Sequence, residues 1–210
     1  MRLVIMGAGA HGQAIADLAA EDGTHAAVAF TDADPALKGQ TRLGLPVWGD
    51  DVTGLAAIRE GRAEGFLVGL GNTSMTGRRR LFELGLAQGT PAPSLAHPRA
   101  VLARSAALGA GSVVFGGAVL AARVQVGRNV VVYSGAIVEH DGRLADHAYL
   151  GPGVVLSGGV IVAESAFLGA GAVVLPGIAI GAGSVVAAGA VVTERVAPGA
   201  TVAGVPARPR

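Results

Sequence analysis

Among the five histidines of this 210-residue chain, one stands between two acids, in Glu139-His140-Asp141. Imidazole takes up a proton near neutral pH, and an adjacent carboxylate can fix its tautomer and stabilise the imidazolium. The pair is therefore a candidate for proton-transfer chemistry, with a solvated surface histidine as the plainer alternative. A second cluster lies near the start, where the apolar run Leu3-Val4-Ile5-Met6 leads into Gly7-Ala8-Gly9-Ala10-His11-Gly12. Glycines at this spacing let backbone N–H groups and a helix N-terminus approach an anion. Asp32 follows Gly12 at the interval where a carboxylate can meet a ribose or base edge. The alternative is that these glycines only pack helix against strand, with His11 no more than a helix-start residue. The chain has no cysteine, which excludes disulfides, thiolate metal sites and a cysteine acyl-enzyme. A catalytic metal needs three good ligands and an open position. His140 and His147 are seven residues apart with no third histidine in the repeats, and His97 lies well before them. No metal is expected.

The elements that must position these residues differ between the two halves. From Leu102, an aliphatic residue recurs every six positions without a break through Leu108, Val114 and Leu120 to Val192. Two residues earlier the side chain is usually small or β-branched, as at Ala118, Val124 and Ala166. Neither a 3.6- nor a 3.5-residue period fits, so helix is excluded. Each hexad offers two inward side chains and a turn, and stacked hexads bury a core that no single repeat can bury alone. The glycines directly after the aliphatic, such as Gly109, Gly127, Gly151, Gly169 and Gly181, are expected to supply backbone freedom at corners. In this register His140 is two residues past the inward Val138, at an outward corner.

Residues 1–90 read as a small α/β unit with a parallel sheet. Strands are expected at 3–6, 25–30 and 65–70, with helices after the Gly-rich loop and over 77–86. The unit is too short for two mononucleotide-binding halves, so one nucleotide is expected rather than a dinucleotide. The three consecutive arginines Arg78, Arg79 and Arg80 read as a solvated helix face. Pro-rich residues 91–101 form a linker, in which His97-Pro98 is extended and His97 is a structural residue. The repeat domain spans 102–197, and 198–210 is a tail.

A net charge of +1 gives no reason to expect nucleic acid or an anionic membrane as partner. The opening apolar stretch is too short for a signal sequence, and no run of apolar residues is long enough to span a bilayer. A soluble, cytoplasmic protein is expected. The 34 glycines reflect solenoid turns rather than disorder, because the aliphatic period continues through them. Only two tyrosines occur, Tyr133 and Tyr149. Tyr149 falls two places short of a full three-hexad coil after Tyr133, so the two can approach each other on neighbouring coils.

Taken together, these residues resemble the NeuD/PglD-type acetyltransferases, which modify sialic acids or nucleotide-linked amino sugars. The resemblance covers nearly the whole chain. It includes the Gly-Ala-Gly-Ala-His-Gly start, Asp32, Gly71-Asn72, His97-Pro98, Val138-Glu139-His140-Asp141 and the closing Gly204-Val205-Pro206-Ala207-Arg208. It implies a Rossmann-like N-terminal domain followed by a left-handed β-helix of hexapeptide repeats, assembled as a homotrimer with acetyl-CoA between neighbouring prisms. It implies that His140 is the general base, oriented by Asp141, in direct transfer to an amine held in a ternary complex. Gly7, Gly9, His11, Gly12, Asp32, Gly71, Asn72 and Tyr133 would line the sugar-nucleotide site. A backbone N–H near Gly158 would bind the oxyanion, and Tyr149, Ala170, Ala188, Val205, Pro206 and Arg208 would border CoA.

Two positions depart from the family pattern. Tyr133 stands where an asparagine is common, and Tyr149 where a second histidine is common. His147 lies two residues short of that second position and cannot take over its role, since two residues along a strand span several Å. These tyrosines either reshape the acceptor or thioester pocket or mark drift at exposed corners. The expected activity is acetyl-CoA-dependent N-acetylation of a nucleotide-linked amino sugar. The alternatives are O-acetylation of a sialic acid and a non-catalytic sugar-nucleotide-binding solenoid; a nicotinamide oxidoreductase has only the Gly-rich loop in its favour.

Overall fold

The computed structural model describes residues 1–210, which divide into two compact units, Met1–Leu95 and Ala96–Arg210. The first unit holds a three-stranded parallel sheet of β1 (Arg2–Met6), β2 (Ala26–Thr31) and β3 (Gly65–Val68), with β1 in the centre. Parallel strands need crossover helices. Here these are α1 (Ala10–Asp22) between β1 and β2, and α2 (Asp51–Arg59) before β3; α3 (Met75–Ala87) follows β3. A short hairpin, Thr41–Arg42 with Leu45–Pro46, interrupts the run from β2 to α2. Helix α2 is not among the elements expected from the apolar pattern. Its start is nevertheless written in the residues: Asp50 caps it, accepting hydrogen bonds from Thr53 N at 2.9 Å and Thr53 Oγ1 at 2.7 Å. The centre of β1 is fully buried at Leu3, Val4, Ile5 and Met6, which explains its continuous apolar run.

The second unit is a parallel β-helix with two-residue strands on three faces. Register advances by three hexads per coil. Along one face Val101, Val119, Ile137, Val155, Val173 and Val191 lie side by side. On a second, Gln125 pairs with Arg143 and Arg143 with Ile161. On the third, Val131 pairs with Tyr149 and Tyr149 with Phe167. Every hexad aliphatic from Val114 to Val192 is buried, together with the small or β-branched residue two places before it at Ala118, Val124, Val130, Ala136 and most of their successors, Ile178 being partly buried. Each such valine or leucine contributes about 1.5–3 kcal/mol relative to exposure, repeated coil after coil along one continuous core.

The corners correct one expectation. The glycines directly after the aliphatic are not the residues with left-handed backbone. That conformation falls three residues after the aliphatic, at Gly111, Gly117, Gly135, Gly153 and Gly159, and at the non-glycine residues Arg123, Asn129, Asp141, His147 and Ser165. The glycines after the aliphatic serve close stacking instead. A Cβ built on Gly151 would lie 2.9 Å from the backbone N of Ala170 on the next coil. A side chain there would push coils apart, so the constraint is distance rather than dihedral freedom.

Candidate active site

His140 occupies an outward corner of the β-helix, with 59% of its side chain exposed. Its Nδ1 lies 2.9 Å from Asp141 Oδ2. Asp141 in turn receives two hydrogen bonds from Arg123, one coil earlier: Nε to Oδ1 at 2.6 Å and Nη2 to Oδ2 at 2.8 Å. Arg123, and after it His140, hold the Asp141 carboxyl far below the usual carboxylate range. An ionised carboxylate only accepts, so the proton between the two side chains belongs to His140 Nδ1. In the neutral ring Nε2 then carries the lone pair, and it makes no hydrogen bond within the chain. The ring lies against Gly158 on the following coil, where a Cβ would come within 2.6 Å of Nε2 and 2.7 Å of Cε1. Gly158 N donates to no backbone carbonyl, whereas its neighbour Gly159 N donates to His140 O at 2.9 Å. The corner therefore offers a basic nitrogen and an unclaimed N–H donor side by side. Nothing in composition points to Arg123; its one signal is that it stands one full coil before Asp141.

The two tyrosines meet as expected from their spacing, with ring centroids 5.7 Å apart. They are the middle of a longer column. Phe115 stacks on Tyr133 at 4.6 Å with an interplanar angle of 13°, and Phe167 follows Tyr149 at 5.7 Å. Tyr149 is 4% exposed, its ring held between Tyr133 and Phe167. His147 is buried as well and bonds through Nδ1 to Asn129 Nδ2 at 3.0 Å, inside a corner. Ala170 and Ala188 stack one coil apart, exposed, at a corner other than that of His140. Their N–H groups also donate to no backbone carbonyl. In the tail, Val205 is 73% exposed, and Arg208 lies 3.6 Å from Glu194. His97 belongs to the first coil, its N–H donating to Val114 O and its ring resting on Gly116. No group of three or more His, Cys, Asp or Glu is arranged to hold a metal ion. No helix is long and apolar enough to cross a membrane.

In the first unit Gly7 has φ 117°, and a Cβ on Gly12 would collide with the Gly7 carbonyl oxygen. Gly9 is different. Nothing lies within 4 Å of its Cβ position, so only Gly9 leaves open room at the loop, next to the uncapped N-terminus of α1. Asp32 holds the loop itself: Oδ2 accepts from Ala8 N at 2.9 Å and Oδ1 from Asp34 N at 3.0 Å. Its carboxylate also edges a cleft lined by Ala33, Pro35, Lys38, Gly49 and Asp50. Gly71 sits against His11 Cβ, and Asn72 is exposed.

Arg78 overturns the reading of the arginine triplet as a solvated face. It is 1% exposed, and its Nη1 donates to Leu70 O at 2.5 Å and Val68 O at 3.3 Å and lies 3.2 Å from His11 Nε2. The physical reason is its place on α3, on the face that also buries Leu81, Phe82 and Gly85. Burial, and next the charge of Arg78, lower the His11 pKa to about 3. His11 is thus a neutral acceptor that helps seat Arg78, and Arg78 ties the end of β3 to the loop. Arg78→Met is expected to destabilise this unit by about 2 kcal/mol, since buried carbonyls lose their donor. His11 adds a pH dependence of defined sign. The unfolded chain binds a proton there below its usual 6.5 while the folded unit resists until about 3. Stability therefore falls as pH drops through that window, by at most about 1.4 kcal/mol per unit. Thermal melts of wild type and His11→Gln between pH 7 and 4 check this: the variant loses that component of the slope.

Residues 2–83 match the family model described as the PglD N-terminal domain. Perosamine N-acetyltransferase from Caulobacter crescentus, solved as a mutant with CoA and GDP-perosamine, is 36% identical over 100% of this chain and 97% of its own, with a TM-score of 0.92. The acetyltransferase domain of PglB from Neisseria gonorrhoeae, solved with acetyl coenzyme A, is 34% identical over 100% and 98% of the two chains, with a TM-score of 0.90. WeeI from Acinetobacter baumannii is 25% identical over 100% of both, with a TM-score of 0.87. No curated protein matches the sequence significantly.

Proposed function

The chain belongs to the NeuD/PglD-type sugar acetyltransferases, and on that premise we propose that it transfers acetyl from acetyl-CoA to the amine of a nucleotide-linked amino sugar, with His140 as general base. The observation that carries this reading is the His140 ring seated on Gly158, with Nδ1 bound to Asp141 and Nε2 open. In the reaction the amine attacks the thioester carbonyl and its proton passes to Nε2. The resulting oxyanion is received by the Gly158 N–H. Collapse expels the CoA thiolate, which takes the proton back from the imidazolium, leaving an amide and free thiol. No covalent acyl-enzyme is needed, in keeping with a chain that has no cysteine.

The sugar nucleotide is assigned to the first unit, its phosphates toward Gly9 and the start of α1 and its nucleoside toward Asp32 and the adjoining cleft. CoA is assigned to Ala170 and Ala188, whose outward N–H groups suit the amides of a pantetheine arm, and to the Val205, Pro206 and Arg208 tail. The His140 and Ala170 corners bound the same face, whose outward residues are the aliphatic column from Val101, 61% exposed, to Val191. One prism cannot turn both corners into a single groove, but a homotrimer that covers this aliphatic face brings the histidine corner of one copy beside the alanine corner of the next. Sedimentation equilibrium at the mass of three chains supports this; a monomer contradicts it. A cytoplasmic location fits the supply of both reagents.

The test is a panel of UDP-, GDP- and dTDP-linked amino sugars with acetyl-CoA, reading free thiol. One nucleotide amino sugar is expected to stand well above its hydroxyl counterpart. Turnover confined to a sialic acid hydroxyl contradicts N-acetylation.

A further inference from the structure

Arg123 is an exposed side chain, 63% accessible, and by that measure alone its ion pair is worth little. Its geometry sets it apart. Both donors engage both oxygens of Asp141, and Nη2 shares Oδ2 with His140 Nδ1. Arg123 and Asp141 are two of the few non-glycine residues with left-handed backbone, φ 62° in each, stacked one coil apart. The Arg123 N–H is itself fixed at 3.0 Å by Ser105 Oγ on the coil before. The guanidinium thus rises from an anchored backbone and forks onto a carboxylate that, 47% exposed, has no other side-chain partner but the imidazole.

We propose that Arg123 is a positioning residue for the acetyl-transfer reaction: it locks Asp141 toward His140 Nδ1 and offsets part of the carboxylate charge that faces the ring. This rests on the assignment of His140 as base. The charged and titratable groups around His140 by register are Glu139 and Asp141 on its own coil and Arg123 on the coil before. The coil after contributes Ser157, Gly158 and Gly159, none of which titrates. Without Arg123, Asp141 is free to turn toward water, and when it does face the ring its full charge stabilises the imidazolium. Both changes reduce the base, the first at every pH and the second at low pH.

The experiment is the pH profile of turnover for wild type, Arg123→Met and Arg123→Lys, with thermal melts as controls. For Arg123→Met the acid limb is expected to move up by about half to one pH unit. The plateau kcat should fall roughly three- to ten-fold, with KM for acetyl-CoA held within about twofold. Arg123→Lys, which keeps the charge and loses the fork, should return the limb toward wild type while restoring kcat only in part. In an Asp141→Asn background, Arg123→Met should cost no further turnover. A lowered melting temperature with limb and kcat unchanged would make Arg123 only a staple between coils and overturn the proposal. A raised KM for acetyl-CoA with an unmoved limb would make it a CoA contact and do the same. If wild type shows no acetyl transfer at all, it is the functional assignment that fails, and the two failures are distinct.

Discussion

His140→Ala is expected to lower kcat by about 10²- to 10⁴-fold, the range a positioned general base supplies, while melting temperature and acetyl-CoA binding stay near wild type. The fold should tolerate the change because the side chain is more than half exposed and the core residue of its hexad is Val138. The lost ring also leaves a vacancy on Gly158, so added imidazole should recover part of the rate. Asp141→Asn is expected to give a smaller loss. It keeps the shape of the corner but presents an amide that can offer N–H instead of O to the histidine, and it abolishes the bidentate bond from Arg123. If His140→Ala turns over at close to the wild-type rate, the base lies elsewhere.

The second large effect comes from a single methyl group. Gly158→Ala should reduce kcat by about 10- to 100-fold with the β-helix intact. A Cβ there lies 2.6 Å from His140 Nε2, 2.7 Å from Cε1 and 3.3 Å from Nδ1. All three contacts are with the end of an exposed side chain, so the ring swings away and the backbone stays. Gly158 is not among the residues with positive φ, and alanine fits its dihedrals. The cost is therefore catalytic rather than structural, because a displacement of about 1 Å at a reacting group is worth up to about 10²-fold. Gly116→Ala is the matched control. Its Cβ meets the His97 ring at 3.4 Å, an almost ordinary contact, and turnover should be unaffected. Steady-state kinetics with thermal melts separate the two variants; a Gly158→Ala protein as active as wild type would mean that the observed seat of His140 is not its working position.

How much of this could be read in the sequence follows from which distances repeat. The β-helix is legible because a six-residue period continues for sixteen hexads, from Leu102 to Val192, and the outward corner of His140 follows from the same register. The conformational role of the corners is not. The run Gly111, Gly117, Gly135, Gly153 and Gly159 is equally periodic, three places past the aliphatic, but five corners of that series carry other residues and blur it. Arg123 stays hidden because partners on adjacent coils are separated by three whole hexads, a distance at which no local pattern speaks. The same interval also joins Arg128 to Asp146, which bond at 2.7 Å. Arg78 is hidden by its neighbours. Three arginines in a row look like a charged face, whereas Leu81, Phe82 and Gly85 at three, four and seven residues beyond Arg78 place only that one on the buried stripe. In the Gly-rich loop the spacing is legible. What separates a packing glycine from one that leaves room for a ligand, Gly12 from Gly9, is a contact with Gly7 O that only three dimensions reveal.

Direct acetyl transfer onto the amine of a nucleotide sugar is decided by identifying what the wild-type protein makes. Acetyl-CoA carrying a labelled acetyl group is mixed with the best nucleotide-linked amino sugar of the panel, and protein and small molecules are separated and examined by mass spectrometry and NMR. One labelled acetyl in amide linkage on an intact nucleotide sugar is expected for each CoA released, and none on the protein. Label retained on the protein, or CoA released without an acylated nucleotide sugar, would contradict direct transfer.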